Sequence, residues 1–152
     1  MPAFHFRLQT ILNIKIQLEK STKNELGVAI QKLEHQKRLL AEIRAEAAEQ
    51  EEAYRTESTE GVILAKLKQR MEYISLLHQK DIMQQQRVNE EIKNVDIVRE
   101  KLIEIMKDRK VLEKLKEKEF AEYRKEQEKA GQLLVDELIS FKESNRPVDD
   151  KA

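Results

Sequence analysis

Apolar residues recur along most of the chain at alternating steps of three and four residues. The clearest run comprises nine positions, which are Leu26, Ala29, Leu33, Gln36, Leu40, Ile43, Ala47, Gln50 and Tyr54. This spacing keeps one helical face turned toward a partner helix, as in the seam of a coiled coil. Upstream, the stripe continues with a phase adjustment near Leu18 through Leu8, Ile11, Ile14, Leu18 and Thr22. The pattern predicts a long amphipathic helix that begins with the N-terminal aromatic residues.

Two more apolar stretches follow, at 62–82 and 88–141. The chain between the first stripe and these stretches reads YRTESTEG, where Thr, Ser and Gly cluster at 56–61. Such a cluster predicts a helix break, with Ser58 or Thr59 capping the next helix. Pro147 ends the last stretch, because proline cannot continue a helix. The sequence thus predicts at least two long helices.

We predict an all-α fold, a long antiparallel two-helix coiled coil (a helical hairpin) with short helices at the cap. If the arms pair antiparallel with Phe6 near residue 143, then residue 55 lies opposite residue 94. A single hairpin over 1–146 then divides into an arm at 4–55, a cap at 56–93 and a second arm at 94–144, and residues 147–152 form a flexible tail. A parallel dimer of one continuous helix is the alternative, but glycine in TESTEG disfavours it.

The composition narrows the function classes. The 152 residues include 29 basic and 29 acidic side chains, so the net charge of zero argues against nucleic acid as the main partner. Only three Gly and two Pro are present, as expected for long helices. There is no Cys, which excludes disulfide and thiolate chemistry.

The opening segment MPAFHFRLQTILNIKIQLEK could be a targeting signal, a membrane-surface anchor or the start of a long helix. The helix fits its residues best. A secretory signal needs an uninterrupted apolar stretch, which Arg7, Asn13 and Lys15 break. Mitochondrial presequences are rich in Arg and Ser, whereas residues 1–18 contain one Arg and no Ser. No stretch reaches the roughly 18–20 apolar residues of a membrane span. We therefore expect no direct membrane span.

No local signature of an enzyme is present. The sequence has no phosphate-binding loop, no dinucleotide fingerprint and no HExxH. His5, His35 and His78 are isolated, so none has the second histidine at i+3 or i+4 that a helical metal site needs. We expect a non-enzymatic protein with no catalytic residues, no cofactor and no metal.

Several residues carry a resemblance to a known family, the FliJ family of flagellar export proteins. They are an N-terminal F.FRLQ..L start, a Tyr-Arg pair and a later Y...L, here Phe4, Phe6, Arg7, Leu8, Gln9, Leu12, Tyr54, Arg55, Tyr73 and Leu77. The resemblance spans the whole chain through length, helical layout and these sparse positions. It implies an antiparallel coiled-coil hairpin similar to the central stalk of rotary ATPases.

The resemblance also implies partners. A family member is a component of the flagellar type III export apparatus that docks into the hexameric flagellar export ATPase and promotes its assembly and activity. It contacts the membrane protein of the export gate and handles export chaperones. The implied location is cytoplasmic, peripherally associated with the inner face of the cell membrane at the flagellar base.

Candidate partner-binding residues follow from the aligned positions. The patch near the cap includes Tyr54, Tyr73 and Leu77, and the free end includes Phe4, Phe6 and Leu8. Other positions that align with the patch are Ala47, Gln50, Lys80 and Gln84. Tyr54 also fits the seam, and Tyr73 and Leu77 also fit burial against the arms. Two other classes stay open, which are a generic cytoplasmic tethering coiled coil and a stalk subunit of a different ATPase.

Overall fold

The structure, a computed structural model, describes residues 3–145 and contains two long helices and no strand in that range. Helix α1 spans Gln9–Glu60 and helix α2 spans Leu64–Ser144. The helices run antiparallel, because residue numbers fall on α2 as they rise on α1. Lys101 bonds Glu25, whereas Arg44 bonds Asp81. The predicted all-α helical hairpin is confirmed.

The chain reverses at residues 61–63. Gly61 has φ of 74°, the left-handed conformation that glycine adopts without strain. The amide of Val62 donates to the carbonyl of Glu57 at 3.2 Å, the six-to-one bond of a Schellman motif. Helix α2 then begins as the amides of Lys66 and Leu67 bond the carbonyl of Ile63. The turn therefore consists of the three residues 61–63, of which Gly61 terminates α1.

The Thr and Ser residues of the predicted break are helical. Thr56 donates its hydroxyl to the carbonyl of Glu52, and Ser58 donates to that of Tyr54 at 2.7 Å. These bonds to the preceding turn let hydroxyl residues remain in a helix instead of capping a new one. Neither Ser58 nor Thr59 caps α2, and the expected end of the first arm at residue 55 is five residues too early.

This reversal corrects the predicted pairing register. Gln36 contacts Gln84, and Phe4 contacts Phe120, so Phe6 does not lie near residue 143 and residue 55 does not oppose residue 94. The residues expected to form short cap helices over 56–93 belong to the end of α1 and to the first third of α2. The expected tail at 147–152 lies outside the described residues.

The helices form two compact units. One contains Gln17–Ile105, and the other contains the described parts of Met1–Ile16 and Met106–Ala152. In the first unit, Leu33, Leu40, Val88 and Val95 form a buried cluster. Every position of the predicted seam from Leu26 to Tyr54 is buried or half-buried. The three-four spacing therefore identified the packed face of α1 correctly over this range.

A polar contact interrupts this apolar seam. Gln84 is buried and donates its side-chain amide to the side chain of Gln36 at 2.6 Å and to its backbone carbonyl at 3.0 Å. A single buried polar pair restricts which residues can lie opposite each other, since any shift leaves both amides without partners. The pair is thus a register marker for the hairpin.

The upstream stripe has a different phase from the one predicted. In the unit that contains the N-terminal residues, Leu12 is buried while Ile11 and Ile14 are exposed. In the other unit, Glu19 and Thr22 are buried while Leu18 is exposed. Thr22 is buried as predicted and Leu8 is half-buried. Leu12 and Glu19, however, are buried in place of Ile11 and Leu18, which lie one residue before them, and an apolar pattern does not select a glutamate.

The N-terminal aromatic residues precede α1 and are not helical, which corrects the expectation that they begin it. The carbonyl of Phe6 accepts the amide of Gln9 at 3.1 Å, and the amide of Leu12 donates to the carbonyl of Leu8. This turn places Phe6 in the core, where it is buried. Residues 3–8 therefore form a short non-helical segment, in which Phe6 is buried and Phe4 packs against Phe120 of α2.

Candidate partner-binding surfaces

The positions aligned with the cap patch divide between the core and the surface. Leu77 is 1% exposed and packs between the helices, and Ala47 and Gln84 are also buried. Tyr73 is exposed, and its hydroxyl donates to the Glu46 carboxylate. This bond raises the pKa of Tyr73 above its usual value, because the carboxylate favours the protonated phenol. Leu77 is therefore a core residue, whereas Tyr73 lies at the surface of the hairpin.

Tyr73 shares one outward face of α2 with three residues of which two were missed by the sequence analysis. Leu76, Lys80 and Met83 follow it at i+3, i+7 and i+10, a spacing that keeps them on one side of a helix. Leu76 is 45% exposed, and Lys80 and Met83 are also exposed. We call these four residues the Tyr73 face. The sequence contains this i, i+3, i+7 spacing. The family resemblance, however, implied Leu77 as the partner-binding residue, and Leu77 is buried.

A charged contact closes the hairpin beside the reversal. Arg70 donates to both carboxylate oxygens of Glu57, at 2.8 and 2.5 Å, and also bonds the side chain of Gln50. The bidentate bond from Arg70 holds the pKa of Glu57 below its usual value and raises that of Arg70. Tyr54 is half-buried one turn before Glu57 on α1. The contact joins the end of α1 to the start of α2.

Of the candidate residues at the free end, Phe4 belongs to an aromatic cluster with Phe120 and Tyr123. The ring of Phe4 lies 5.2 Å from that of Phe120 at an interplanar angle of 68°, and 5.5 Å from that of Tyr123. Edge-to-face packing of this kind stabilises ring pairs beyond their burial. Phe6 is buried and Leu8 is half-buried. Phe4 and Phe120 also line a surface groove of about 320 Å³ with Lys116 and Glu117.

A basic face lies on α2 within the same unit. Lys110, Lys114 and Lys118 recur at steps of four and are all exposed. Residues 3–16 and 106–118 together carry eight Lys or Arg against three Asp or Glu. Lys15 bonds Asp108 at 2.9 Å, and Arg109 bonds Glu113 at 2.8 Å. We call Lys110, Lys114 and Lys118 the basic face.

The described residues contain no group of three or more His, Cys, Asp or Glu side chains that could hold a metal ion. His78 lies 3.1 Å from Glu51, a single exposed pair. Within residues 3–145, no helix is long and apolar enough to cross a membrane.

Comparison with known proteins decides the family. Residues 4–147 match the family model described as FliJ, the flagellar FliJ protein. The chain belongs to the FliJ family. Membership makes it a component of the flagellar export apparatus, in a family whose known role is structural. No curated protein and no solved structure gives a significant match. The family resemblance predicted from the N-terminal and tyrosine positions is confirmed.

Proposed function

We propose that this FliJ-family protein is a non-enzymatic, stalk-like component that binds the hexameric flagellar export ATPase. It promotes assembly and activity of the ring and links it to the export gate and to export chaperones. The observation that supports this most is the combination of family membership with an end of the hairpin that carries exposed recognition groups instead of a catalytic site. These groups are the basic face and the aromatic cluster of Phe4, Phe120 and Tyr123.

The ATPase contact is assigned to the unit that contains the N-terminal residues. Two antiparallel helices, continued at this end by α2 alone, form a slender element that suits the central opening of a ring. The basic face offers three cationic side chains on one side of α2, so we infer an acidic surface on the ATPase. Phe4 packs in the aromatic cluster with Phe120 and Tyr123, and Phe6 is buried within the same unit. Phe4 and Phe120 contribute partly exposed rings.

Binding changes the ATPase through its assembly state. A ligand shifts an equilibrium only by its differential affinity for the two states. A stalk that contacts several subunits at once binds the closed ring more tightly than it binds separate subunits. ATP turnover then rises because more subunits are assembled, while all catalytic residues remain those of the ATPase.

The gate contact is assigned to the Tyr73 face, together with the half-buried Tyr54 of α1. Leu76 and Met83 supply exposed apolar surface, and exposed apolar patches on protein surfaces often mark contact sites. Met side chains adapt to different partners, which suits a face that also receives export chaperones. We place the protein in the cytoplasm, peripherally at the inner face of the cell membrane at the flagellar base.

Charge neutralisation on the basic face tests the ATPase contact. The variant Lys110→Gln/Lys114→Gln/Lys118→Gln should weaken binding to the purified export ATPase about tenfold, as measured by calorimetry at low salt, because it removes three interfacial cations. The matched control, Lys20→Gln/Lys66→Gln/Lys68→Gln, also removes three exposed lysines and should bind like the unaltered chain. An equal loss of binding in both variants would show that binding depends on the overall charge of the chain and not on the basic face. Absence of any binding by the unaltered chain would leave a generic tethering coiled coil.

A further inference from the structure

The C-terminal part of α2 continues past the residues that α1 and the N-terminal segment cover. Every described residue from 132 to 145 is exposed. Leu134 and Leu138 are each 59% exposed and Phe141 is 66% exposed, although all three are large and apolar. We call residues 127–145 the overhang. Such a concentration of exposed apolar side chains indicates a contact surface.

The overhang continues the spacing of a coiled-coil seam. Its seam positions, at alternating steps of four and three, are Gln127, Gly131, Leu134, Leu138, Phe141 and Asn145. Gln127 and Gly131 are half-buried, and the remaining four are exposed. The face that meets α1 and the N-terminal segment earlier in α2 therefore carries on without a partner helix. A continuing seam predicts a helix as its occupant.

We propose that, in the chain free of the ATPase, this occupant is the overhang of a second copy, packed antiparallel, an association that entry of this end into the ring replaces. In antiparallel pairs, the two kinds of seam position lie opposite each other. One register then places Leu134 against Leu138 of the other copy, and Gly131 against Phe141 of the other copy. Each layer occurs twice by symmetry, as an isologous interface requires.

Gly131 is the residue that this arrangement explains. Glycine inside a helix is destabilising relative to alanine, so its presence calls for a packing reason. Nothing lies within 4 Å of where a Cβ would stand in the single chain, so no contact within the described chain requires glycine there. Opposite Phe141 of a second copy, the missing side chain leaves room for the ring. A parallel pair would instead put glycine against glycine and leave a void.

The flanking residues also fit the antiparallel register. Glu128 lies beside Lys142 of the other copy, which gives two ion pairs across the interface. Val135 lies beside its own symmetry mate at the centre. Glu137 faces its own mate, a single unfavourable contact that keeps the association weaker than its apolar layers alone would make it. Leu133 and Ile139 lie on the outer sides and take no part.

The purified full-length chain tests this without any other protein, so the outcome is independent of the ATPase contact. Sedimentation velocity over a range of concentrations should show a monomer–dimer equilibrium. Leu138→Glu should weaken the dimer at least a hundredfold, whereas Leu133→Glu, an equally exposed position off the seam, should change it less than threefold. Circular dichroism should show unchanged helix content in both. A monomer at every concentration, or equal losses in the two variants, would overturn the proposal.

Two further measurements test orientation. Lys142→Glu should weaken the dimer about threefold to tenfold, and the double variant Glu128→Lys/Lys142→Glu should restore it, because the ion pairs are then reversed. The Cys-free chain also permits disulfide mapping. A mixture of Glu128→Cys and Lys142→Cys chains should give mixed disulfides, while either chain alone should give few, since its two cysteines would lie about 21 Å apart. Efficient disulfides within Lys142→Cys alone would establish a parallel pair and refute the register.

Discussion

Replacing Leu77 separates the two roles that the sequence allowed for it. The side chain is 1% exposed, so Leu77→Ala removes buried apolar atoms from between the helices. Its neighbour Leu76 is 45% exposed on the Tyr73 face, and Leu76→Ala makes the same chemical change at the surface. The two variants differ in burial and by one position, which makes Leu76→Ala a matched control.

The expected magnitude follows from the atoms removed. Leucine exceeds alanine by three carbons, and each buried methylene contributes about 0.8 kcal/mol, which gives about 2.4 kcal/mol for transfer alone. The cavity term adds to this, but a two-helix interface can close around the gap better than a deep core can. We expect a loss of about 3 kcal/mol, within the roughly 2–5 kcal/mol range for Leu→Ala. For a chain of this size, that lowers Tm by about 6–12 °C.

Urea and thermal denaturation followed by circular dichroism at 222 nm measure the effect. Leu76→Ala should change the free energy of unfolding by less than about 0.5 kcal/mol, and it should reduce binding to the gate component. Leu77→Ala at a temperature where it stays folded should bind the gate component normally. If the two variants unfold together with the unaltered chain, Leu77 is not a core residue and the packing described here is wrong.

Three other predictions concern the ends and the register. The Glu57–Arg70 bond lowers the pKa of Glu57, so its stabilisation is present above the ordinary value of 4.5 and is lost as pH falls through the lowered pKa; the stability difference between the unaltered chain and Arg70→Gln should shrink on acidification, and a constant difference in urea midpoint would contradict this. Because the pKa of Tyr73 is raised, its bond to Glu46 should contribute fully below pH of about 10 and disappear as pH rises through the higher folded value; phenolate absorbance should show a titration step at raised pH that is absent in Tyr73→Phe, and persistence of this step would refute the assignment. Cysteines at Gln36 and Gln84 should be joined within one molecule by a short bismaleimide, since these side chains touch, whereas cysteines at Gln36 and Glu113 should not; the reverse result would restore the register predicted from the sequence.

The sequence predicts the middle of α1 well because the relevant signal is local. From Leu26 to Tyr54 the steps of three and four leave only one apolar face, and that face is packed. Near the N-terminus, Ile11, Ile14 and Leu18 form an apolar stripe that is exposed in the structure. The structure instead buries Leu12 and Glu19, although Thr22 is buried as predicted. Contacts with α2 determine which of the two faces of α1 is buried, and the pattern of α1 residues alone does not predict those contacts.

The register depends on where the chain turns, and that was decided by a few backbone bonds. Thr56 and Ser58 looked like helix breakers, but their hydroxyls bond the preceding turn. Within residues 3–145, Gly61 alone adopts the left-handed conformation, and it ends α1. Because every cross-helix pair follows from this position, a turn predicted too early and followed by an assumed cap displaces all of them.

The candidate surfaces show the same division. Residues with an aligned counterpart could be named from the sequence, and Tyr73 and Phe4 are at the surfaces described here. Burial separates Leu77 from Tyr73, although both lie within one turn of α2. Leu76 and Met83 belong to no motif of the family resemblance, and their spacing in the sequence does not reveal that they are exposed.

ATP turnover by the purified export ATPase, measured over a range of enzyme concentrations with and without this protein, tests the central claim most directly. If the protein acts by favouring the assembled ring, stimulation should be greatest at low enzyme concentration and should fall toward none as the ring assembles by itself. The variant Lys110→Gln/Lys114→Gln/Lys118→Gln should require about tenfold more protein for the same stimulation. Equal turnover with and without the protein at every concentration would contradict a stalk that promotes ring assembly.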